Sequence, residues 1–206
     1  MREELRKLRN FLKKQGLRLS REKIVLIDEY YKMILEWSER ISLISHNGIE
    51  HFFKFHIPDS IIPTRYLNTS SIVADIGSGN GLPGIPVAII RDDLKVYLIE
   101  SKRKRAEFLR IVIKNLGLTN TKVIEKRAQE VSYLFDYLCF RQVAPIEKLL
   151  KLRNLLTSKG KMLFFNIFSE ENVEKLNRLK TKYKLNIDRK LINIGYVKRM
   201  YVFIDK

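Results

Sequence analysis

Residues 75–84 read Asp75-Ile76-Gly77-Ser78-Gly79-Asn80-Gly81-Leu82-Pro83-Gly84, or DIGSGNGLPG. Four glycines in eight residues directly follow the apolar run Ser71-Ile72-Val73-Ala74. Glycine admits backbone angles that other residues resist, and it lets a ligand rest on bare amides. A strand that runs into a glycine turn and then a helix N-terminus is a small-ligand site.

Two frames fit the turn. Gly79-Asn80-Gly81-Leu82-Pro83-Gly84 formally matches G-x-G-x-x-G, the dinucleotide fingerprint, and on its own would suggest a nicotinamide-dependent reductase. The first glycine after the strand is Gly77, however, so the natural frame starts at Asp75. That frame puts a carboxylate at the strand's tip, where it would repel a pyrophosphate and attract a cation. S-adenosyl-L-methionine carries a sulfonium and an α-ammonium group. Glu100 ends the next strand, where a carboxylate can accept from both hydroxyls of a ribose. Read as structure alone, Asp75 is a helix cap and Glu100 a solvated strand end.

Working outward, the rest of the chain supplies a scaffold for such a site. Leu5, Leu8 and Leu12 predict a first helix stopped by Gly16, with basic residues that could track RNA. Ser20 predicts the cap of a second helix, whose stripe is Ile24, Ile27, Tyr31, Ile34 and Ile41 with Tyr30 and Trp37 beside it. Residues 42–65 read as irregular and hold His46, His51 and His56 without a carboxylate cluster at ligand spacing, so no metal is expected. From Ser71, strands and helices alternate. Strands are expected at Ile72–Ile76, Val96–Ile99, Val123–Ile124, Tyr137–Phe140 and Met162–Phe168, the last entered by a turn at Lys159-Gly160. Helices are expected from Pro83 to Arg91, from a Ser101 cap to Gly117, after Pro145 through Leu156, and over Ser169–Lys182. Two closing strands turn near Gly195. The pattern predicts an α/β fold with a doubly wound, mostly parallel sheet and an antiparallel C-terminal hairpin.

The bulk composition limits the function. The 206 residues include 40 Lys plus Arg against 23 Asp plus Glu, a net charge of +17, which suits a polyanionic partner such as nucleic acid. A 45 % hydrophobic content excludes a disordered chain. One cysteine, Cys139, excludes a disulfide framework and a multi-cysteine zinc site. No apolar run reaches the roughly 18 residues of a membrane span, and Met1-Arg2-Glu3-Glu4 lacks the apolar stretch of a signal peptide. A cytoplasmic protein is expected.

The D-x-G-x-G-x-G frame resembles the first motif of class I methyltransferases. The longer stretch Gly77–Pro86, with its LPGIP extension, is similar to the signature of the glucose-inhibited division protein B family, small-subunit (16S) ribosomal RNA methyltransferases that act on the 7-position of a guanosine. EWSERISLIS (36–45), FHIPDS (55–60), ESKRKRAEFLR (100–110), KRAQEV (126–131) and FDYLCFRQVAP (135–145) resemble further family segments, with a weaker echo at KRMYVFIDK. The resemblance implies a Rossmann-like class I methyltransferase domain over 69–206 and an N-terminal helical cap over 1–68. It implies S-adenosyl-L-methionine as cofactor, with contacts at Gly77, Leu82, Ala128, Gln129 and Arg141; the reading of the loop and strand tips adds Asp75, Ser78, Gly79, Gly81 and Glu100. The implied partner is small-subunit ribosomal RNA or the ribosomal subunit, with a monomer favoured. Ser42, Phe55, Gln142 and Asn166-Ile167 depart from the family's usual residues and concern the target more than the cofactor.

The 7-nitrogen of guanine has a lone pair and no proton to lose, so no acid–base dyad is expected. Arg141 and Arg127 are candidates for organising substrate and cofactor, through a guanine carbonyl or a phosphate. His56 and Asp59 stand either on the cap's substrate face or in structural hydrogen bonds. Cys139 sits in an apolar strand and reads as core rather than as a cytosine-methylating nucleophile. Lys102, Arg103, Lys104 and Arg105 crowd a helix N-terminus, either against phosphates or on a solvated face. A ribosome-binding factor with a vestigial pocket is the non-catalytic alternative.

Overall fold

A computed structural model describes residues 3–206, the side chain of Ile167 excepted; Met1 and Arg2 of the charged amino terminus lie outside the described residues. Seven strands form one sheet in the order β3-β2-β1-β4-β5-β7-β6. They span Ile72–Ile76 (β1), Lys95–Ile99 (β2), Thr121–Ile124 (β3), Phe135–Phe140 (β4), Leu156–Ile167 (β5), Ile187–Ile194 (β6) and Val197–Asp205 (β7). The first five pair in parallel, and β7 enters antiparallel between β5 and β6. Parallel strands need crossover helices, which is why the expected alternation produces a sheet covered on both faces.

Period-two alternation divides the core. Val73, Tyr137, Cys139, Leu163, Tyr201 and Phe203 face one side; Ala74, Leu138, Phe140, Met162, Met200 and Val202 face the other. The first face carries α1 (Glu3–Lys14), α2 (Arg21–Ser38), α4 (Ile57–Ile61), α5 (Gly84–Ile90) and α6 (Arg103–Asn115), which share one continuous apolar cluster with the sheet. The second carries α7 (Ile146–Leu149) and α8 (Glu170–Tyr183). Ser20 caps α2 by accepting from the Lys23 amide, and Ser169 caps α8 by accepting from that of Asn172.

Several expectations are corrected. Residues 42–65 are not irregular. Ser45 caps α3 (His46–Glu50), a π-helical turn follows at Phe52–His56, then α4, then a 3-10 turn at Ile62–Tyr66. Pro58 and Pro63 sit in the first turns of α4 and of the 3-10 turn, where a missing N–H costs nothing. On α2, Ile24, Ile27, Tyr30 and Ile34 form the buried stripe; Tyr31 is only partly buried and Ile41 lies beyond the helix end. The helix after Pro145 stops at Leu149, and a 3-10 turn continues over Leu150–Leu155. Buried Leu149, Leu152 and Leu155 recur every three residues, the 3-10 period. Lys159-Gly160 lies inside β5, where the ladder to β4 slips between Phe135 and Tyr137. A Cβ on Gly160 would come within 3.0 Å of the Phe135 carbonyl, so this glycine marks a bulge rather than a turn. Ser101 does not cap α6; the Glu100 carboxylate accepts from the Lys102 amide instead, at 2.8 Å.

Close packing also explains Gly84 at the start of α5. A Cβ there would stand 2.3 Å from Leu98 Cδ2 and 2.8 Å from Asp75 Oδ2. Gly84→Ala is expected to cost about 2–3 kcal/mol through overpacking in a site that cannot relax. Gly117→Ala, at φ +63° but with nothing within 4 Å, should cost only about 1 kcal/mol. Urea unfolding of the two variants checks the difference; equal losses would contradict the packing argument.

Candidate functional site

β1 ends at Ile76, so the glycine loop begins at Gly77, as the frame from Asp75 requires, and the G-x-G-x-x-G register starts beyond the strand. The loop is tied down on every side. The Gly77 and Ser78 amides donate to the Ile99 carbonyl at 2.8 and 3.1 Å, and the Ser78 hydroxyl donates to the Asp75 carbonyl at 2.8 Å. The Gly79 amide donates to Glu100 Oε2 at 2.9 Å, so both oxygens of Glu100 hold backbone amides. From the cap side, the buried Tyr30 hydroxyl donates to the Asn80 carbonyl at 2.6 Å. Gly77 and Gly79 adopt φ of +69° and +55°.

Asp75 is 1 % exposed and accepts from the Gly84 amide at 3.1 Å. Burial raises its pKa to about 7, against the lowering effect of that hydrogen bond and of the Arg141 charge. The carboxyl therefore lies under the loop, capping α5, rather than on an open wall.

Above the loop is a cavity of about 1030 Å³. Gly77, Ser78, Gly79 and Leu82 form part of its floor, and Arg141, Gln142 and His56 line one side. Glu4, Lys7, Leu8 and Phe11 of α1, Lys54 and Phe55 of the π-helical turn, Arg105 of α6 and Tyr196 of the β6–β7 turn are among the other lining residues. The sequence-predicted residues thus divide. Gly77, Ser78, Gly79, Leu82, Arg141 and His56 come together on the cavity. Asp75, Gly81 and Glu100 are buried beside it as support. Arg127, Ala128 and Gln129 follow β3 and do not line the cavity; Arg127 and Gln129 are exposed. Cys139 is buried, and burial holds its thiol well above the usual range.

Asp59 does not face the cavity either. It is 0 % exposed, and its carboxylate binds two guanidinium groups: Arg199 Nε at 2.8 Å and Nη2 at 3.0 Å, and Arg141 Nε at 3.2 Å. The Tyr201 hydroxyl adds a fourth donor at 3.1 Å. Arg141 Nη2 donates to His56 Nδ1 at 2.5 Å, which requires a neutral ring protonated at Nε2. Burial and then the Arg141 charge push the His56 pKa down to about 4, in agreement. By formal charge, one carboxylate faces two guanidiniums and a neutral imidazole. The cluster carries one surplus positive charge, and of its two guanidiniums Arg141 is the one that lines the cavity. Phe55 lies 5.4 Å from the Arg199 guanidinium, ring centroid to Cζ, and covers it. Sequence reasoning missed Arg199; its signal was the KRMYVFIDK echo, which gave no hint that the strand pairs at β5 and turns this arginine toward α4. Arg105 was read only as part of a basic run. It lines the cavity and donates to the Ser42 carbonyl at 3.2 Å, while Lys102, Arg103 and Lys104 stay exposed. Among the described residues, no group of three or more His, Cys, Asp or Glu is arranged to hold a metal.

The residues fit S-adenosylmethionine. A Cβ on Gly79 would meet the Gly77 carbonyl oxygen at 3.7 Å and Arg105 Nη1 at 3.8 Å, ordinary contact distances, so the loop is not closed over at this point. Two buried acids, Glu100 and Asp75, lie beneath it; burial raises the Asp75 pKa to about 7, so a bound sulfonium or ammonium group would favour its ionised form.

Two outcomes are expected from this geometry. Asp59→Asn leaves two buried guanidiniums without their anion and should cost about 3–5 kcal/mol in urea unfolding, the scale for a broken buried pair; a loss under 1 kcal/mol would contradict the network. The second concerns pH. His56 stays neutral when folded down to about pH 4 but protonates near 6.5 when unfolded, so stability rises with pH between those values. Asp75 holds its proton when folded up to about 7 but loses it near 3.8 when unfolded, so stability falls with rising pH over the same window. The two slopes oppose each other. Relative to the parent protein, His56→Asn should lose stability as pH rises from about 4.5 to 6.5, and Asp75→Asn should gain it. Parallel pH profiles for all three proteins would disprove the assignment.

The comparisons with known proteins agree with this geometry. Residues 23–195 match the family GidB, rRNA small subunit methyltransferase G. Ribosomal RNA small subunit methyltransferase G of Brachyspira hyodysenteriae is 34 % identical over 173 residues, 82 % of this chain and 83 % of the relative. That of Staphylococcus epidermidis is 31 % identical over 199 residues, covering 93 % and 80 %. Among solved structures, M. jannaschii TYW2 in complex with AdoMet superposes with a TM-score of 0.57 at 21 % identity, over 81 % of this chain and 78 % of that one. A SAM-dependent methyltransferase from Aquifex aeolicus superposes with a TM-score of 0.58 at 13 % identity, covering 75 % and 92 %. The fold is that of the class I S-adenosylmethionine-dependent methyltransferases. With the family pattern matched from the second helix to the last hairpin, the chain belongs to the rRNA small subunit methyltransferase G family.

Proposed function

We propose that this protein is an S-adenosylmethionine-dependent methyltransferase that acts on the 7-position of a guanosine in small-subunit (16S) ribosomal RNA. The family match over residues 23–195 carries the reading. The glycine loop with its two buried acids and the charge of +17 support it. The same reading places the protein in the cytoplasm as a monomer, with RNA or an assembled subunit as its partner. No helix among the described residues is long and apolar enough to cross a membrane. The N-terminal helices, residues 1–68, serve as the substrate-side cap over a cofactor-binding domain formed by 69–206.

When bound, the cofactor supplies a methyl group already activated by its sulfonium. Guanine N7 presents a lone pair with no proton attached, so the protein has no proton to remove. What remains is placement and the exclusion of water. Gly77, Ser78, Gly79 and Leu82 give the donor a surface poor in side chains, their own amides being held within the protein, with Glu100 opposing its positive charge and Asp75 able to ionise against it. Ala128 and Gln129 bracket the adenine from the far side of β2. Arg141, fixed by Asp59 and His56, offers its free guanidinium hydrogens to the cofactor carboxylate, the guanine carbonyl or a flanking phosphate. His56 is neutral at pH 7 with its Nδ1 already accepting from Arg141, so its role is to orient that arginine. Arg127 stands exposed beside the adenine end and organises the cofactor or the RNA backbone there.

Calorimetry with S-adenosylmethionine should show one site. Gly77→Val, placed at φ +69° where an added Cβ lies 3.3 Å from Val143, should weaken it at least about tenfold, the effect of about 1.4 kcal/mol of strain or misplacement. Unmethylated small subunits incubated with enzyme and cofactor should yield 7-methylguanosine in nuclease digests. Cofactor binding without any methyl transfer would leave the non-catalytic ribosome-binding alternative; absence of cofactor binding would overturn the proposal.

A further inference from the structure

The β6–β7 turn carries a side chain that the fold does not need. Ile194 pairs with Val197, so Gly195 and Tyr196 alone make the connection. Gly195 takes φ +58°, and a two-residue turn of this kind is a stiff mount that asks only for small or polar residues. Tyr196 is nevertheless aromatic, and at 108 % relative exposure its ring buries nothing. The other exposed tyrosines each have company: Tyr133 stacks on Tyr97 at 6.0 Å, and Tyr183 lies 5.2 Å from the Lys182 ammonium. Among the described residues, Tyr196 has no ring, cation or hydrogen-bond partner in its own chain. It is also the exposed tyrosine that lines the cavity above the glycine loop, in the company of the cations Lys7, Lys54 and Arg105.

An unpartnered aromatic plane in a cavity whose charged lining is mostly cationic is a platform for an anionic, planar ligand, which is the chemistry of a nucleic-acid strand. Geometry adds a reason. The N7 edge of a paired guanine faces the deep, narrow groove of A-form RNA, where protein side chains do not reach. A protein that modifies this atom must take the base from a single-stranded or opened segment, which leaves neighbouring bases unstacked. Tyr196 lines the same cavity as Gly77, Ser78 and Gly79 and is fully exposed, so its ring is open to a base beside the target. We infer that Tyr196 stacks on an unpaired nucleobase flanking the target guanosine and holds the opened RNA strand at the cavity. This rests on the reading of the chain as an RNA methyltransferase; the residue's role is a positioning one, without contact to the reacting atoms.

The test uses the full chain and a single-stranded RNA oligonucleotide containing the fluorescent base 2-aminopurine, whose emission is quenched by stacking. The parent protein, Tyr196→Phe and Tyr196→Trp should quench it, whereas Tyr196→Ala should quench weakly and bind the oligonucleotide about tenfold less tightly, the scale of one lost base–aromatic stack. Melting temperature and S-adenosylmethionine affinity should be the same in all four proteins. Methyl transfer to unmethylated small subunits should show a raised KM with little change in kcat for Tyr196→Ala alone. Equal quenching by parent and Ala variant would overturn the inference. So would a loss in Tyr196→Phe as large as in Tyr196→Ala, which would assign the effect to the hydroxyl. A defect confined to assembled subunits would point to a ribosomal protein as the partner and overturn it as well. The two proposals fail separately: a parent protein that quenches the oligonucleotide but transfers no methyl refutes the enzymatic function, whereas one that transfers methyl with unchanged kinetics in Tyr196→Ala refutes the stacking.

Discussion

The Asp59 carboxylate is the constraint on which the site depends. It comes from α4, one turn of helix beyond the π-helical segment, and it is sealed from solvent. Its partners come from two strands far apart in sequence: Arg141 at the end of β4, and Arg199 and Tyr201 on β7. A buried anion with four donors has one geometry, because any donor that strays leaves charge uncompensated in a medium that solvates it poorly. The N-terminal helices are therefore locked to the sheet at the point where the strand ends open into the cavity. Hydrophobic contact alone would hold those helices down without fixing their rotation. The ion cluster sets where Arg141 points.

The glycine loop is held by the opposite means, through backbone groups. Ile99, Glu100, Asp75 and Tyr30 each take a hydrogen bond from it or give one to it, and three of the four come from elements outside the loop's own strand. Loops that bind ligands on bare amides cannot stabilise themselves through side chains, so neighbours must supply the rigidity. Here the support uses buried acids, which do two tasks at once. They cap amides, and they leave a negative field under the space where a cationic cofactor fits. The raised pKa of Asp75 measures the cost of that arrangement in the free protein, a cost that a bound cation would relieve.

Across the cavity the field reverses. Arg141, Arg105, Lys54 and Lys7 line it together with Tyr196, against the single lining acid Glu4. Buried acids behind the glycine loop and a mostly cationic lining suit a sulfonium donor at the loop and a phosphodiester strand along the lining. The arrangement separates the two ligands by electrostatics before shape is considered.

Much of this was legible along the chain, for local reasons. The glycine turn, the acids at the tips of β1 and β2, the period-two strands and the cap at Ser20 depend on residues within a few positions of one another, and the sequence alone determined them. It also determined the family resemblance, because LPGIP and its companions are short and contiguous. The errors arose where local signals are ambiguous. Lys159-Gly160 has turn composition yet forms a bulge, since the pairing partner decides. The leucines after Pro145 satisfy both the 3.6 and the three-residue period until burial selects the latter. Tertiary structure alone decided that Asp59 faces inward to two arginines, that His56 is a neutral acceptor, that Arg199 belongs to the site at all and that Tyr196 lines the cavity unpartnered. The physical reason is distance: residues 59, 141 and 199 meet only because β7 inserts antiparallel beside β5, and a strand's place in a sheet is fixed by pairings that no window of its own sequence contains.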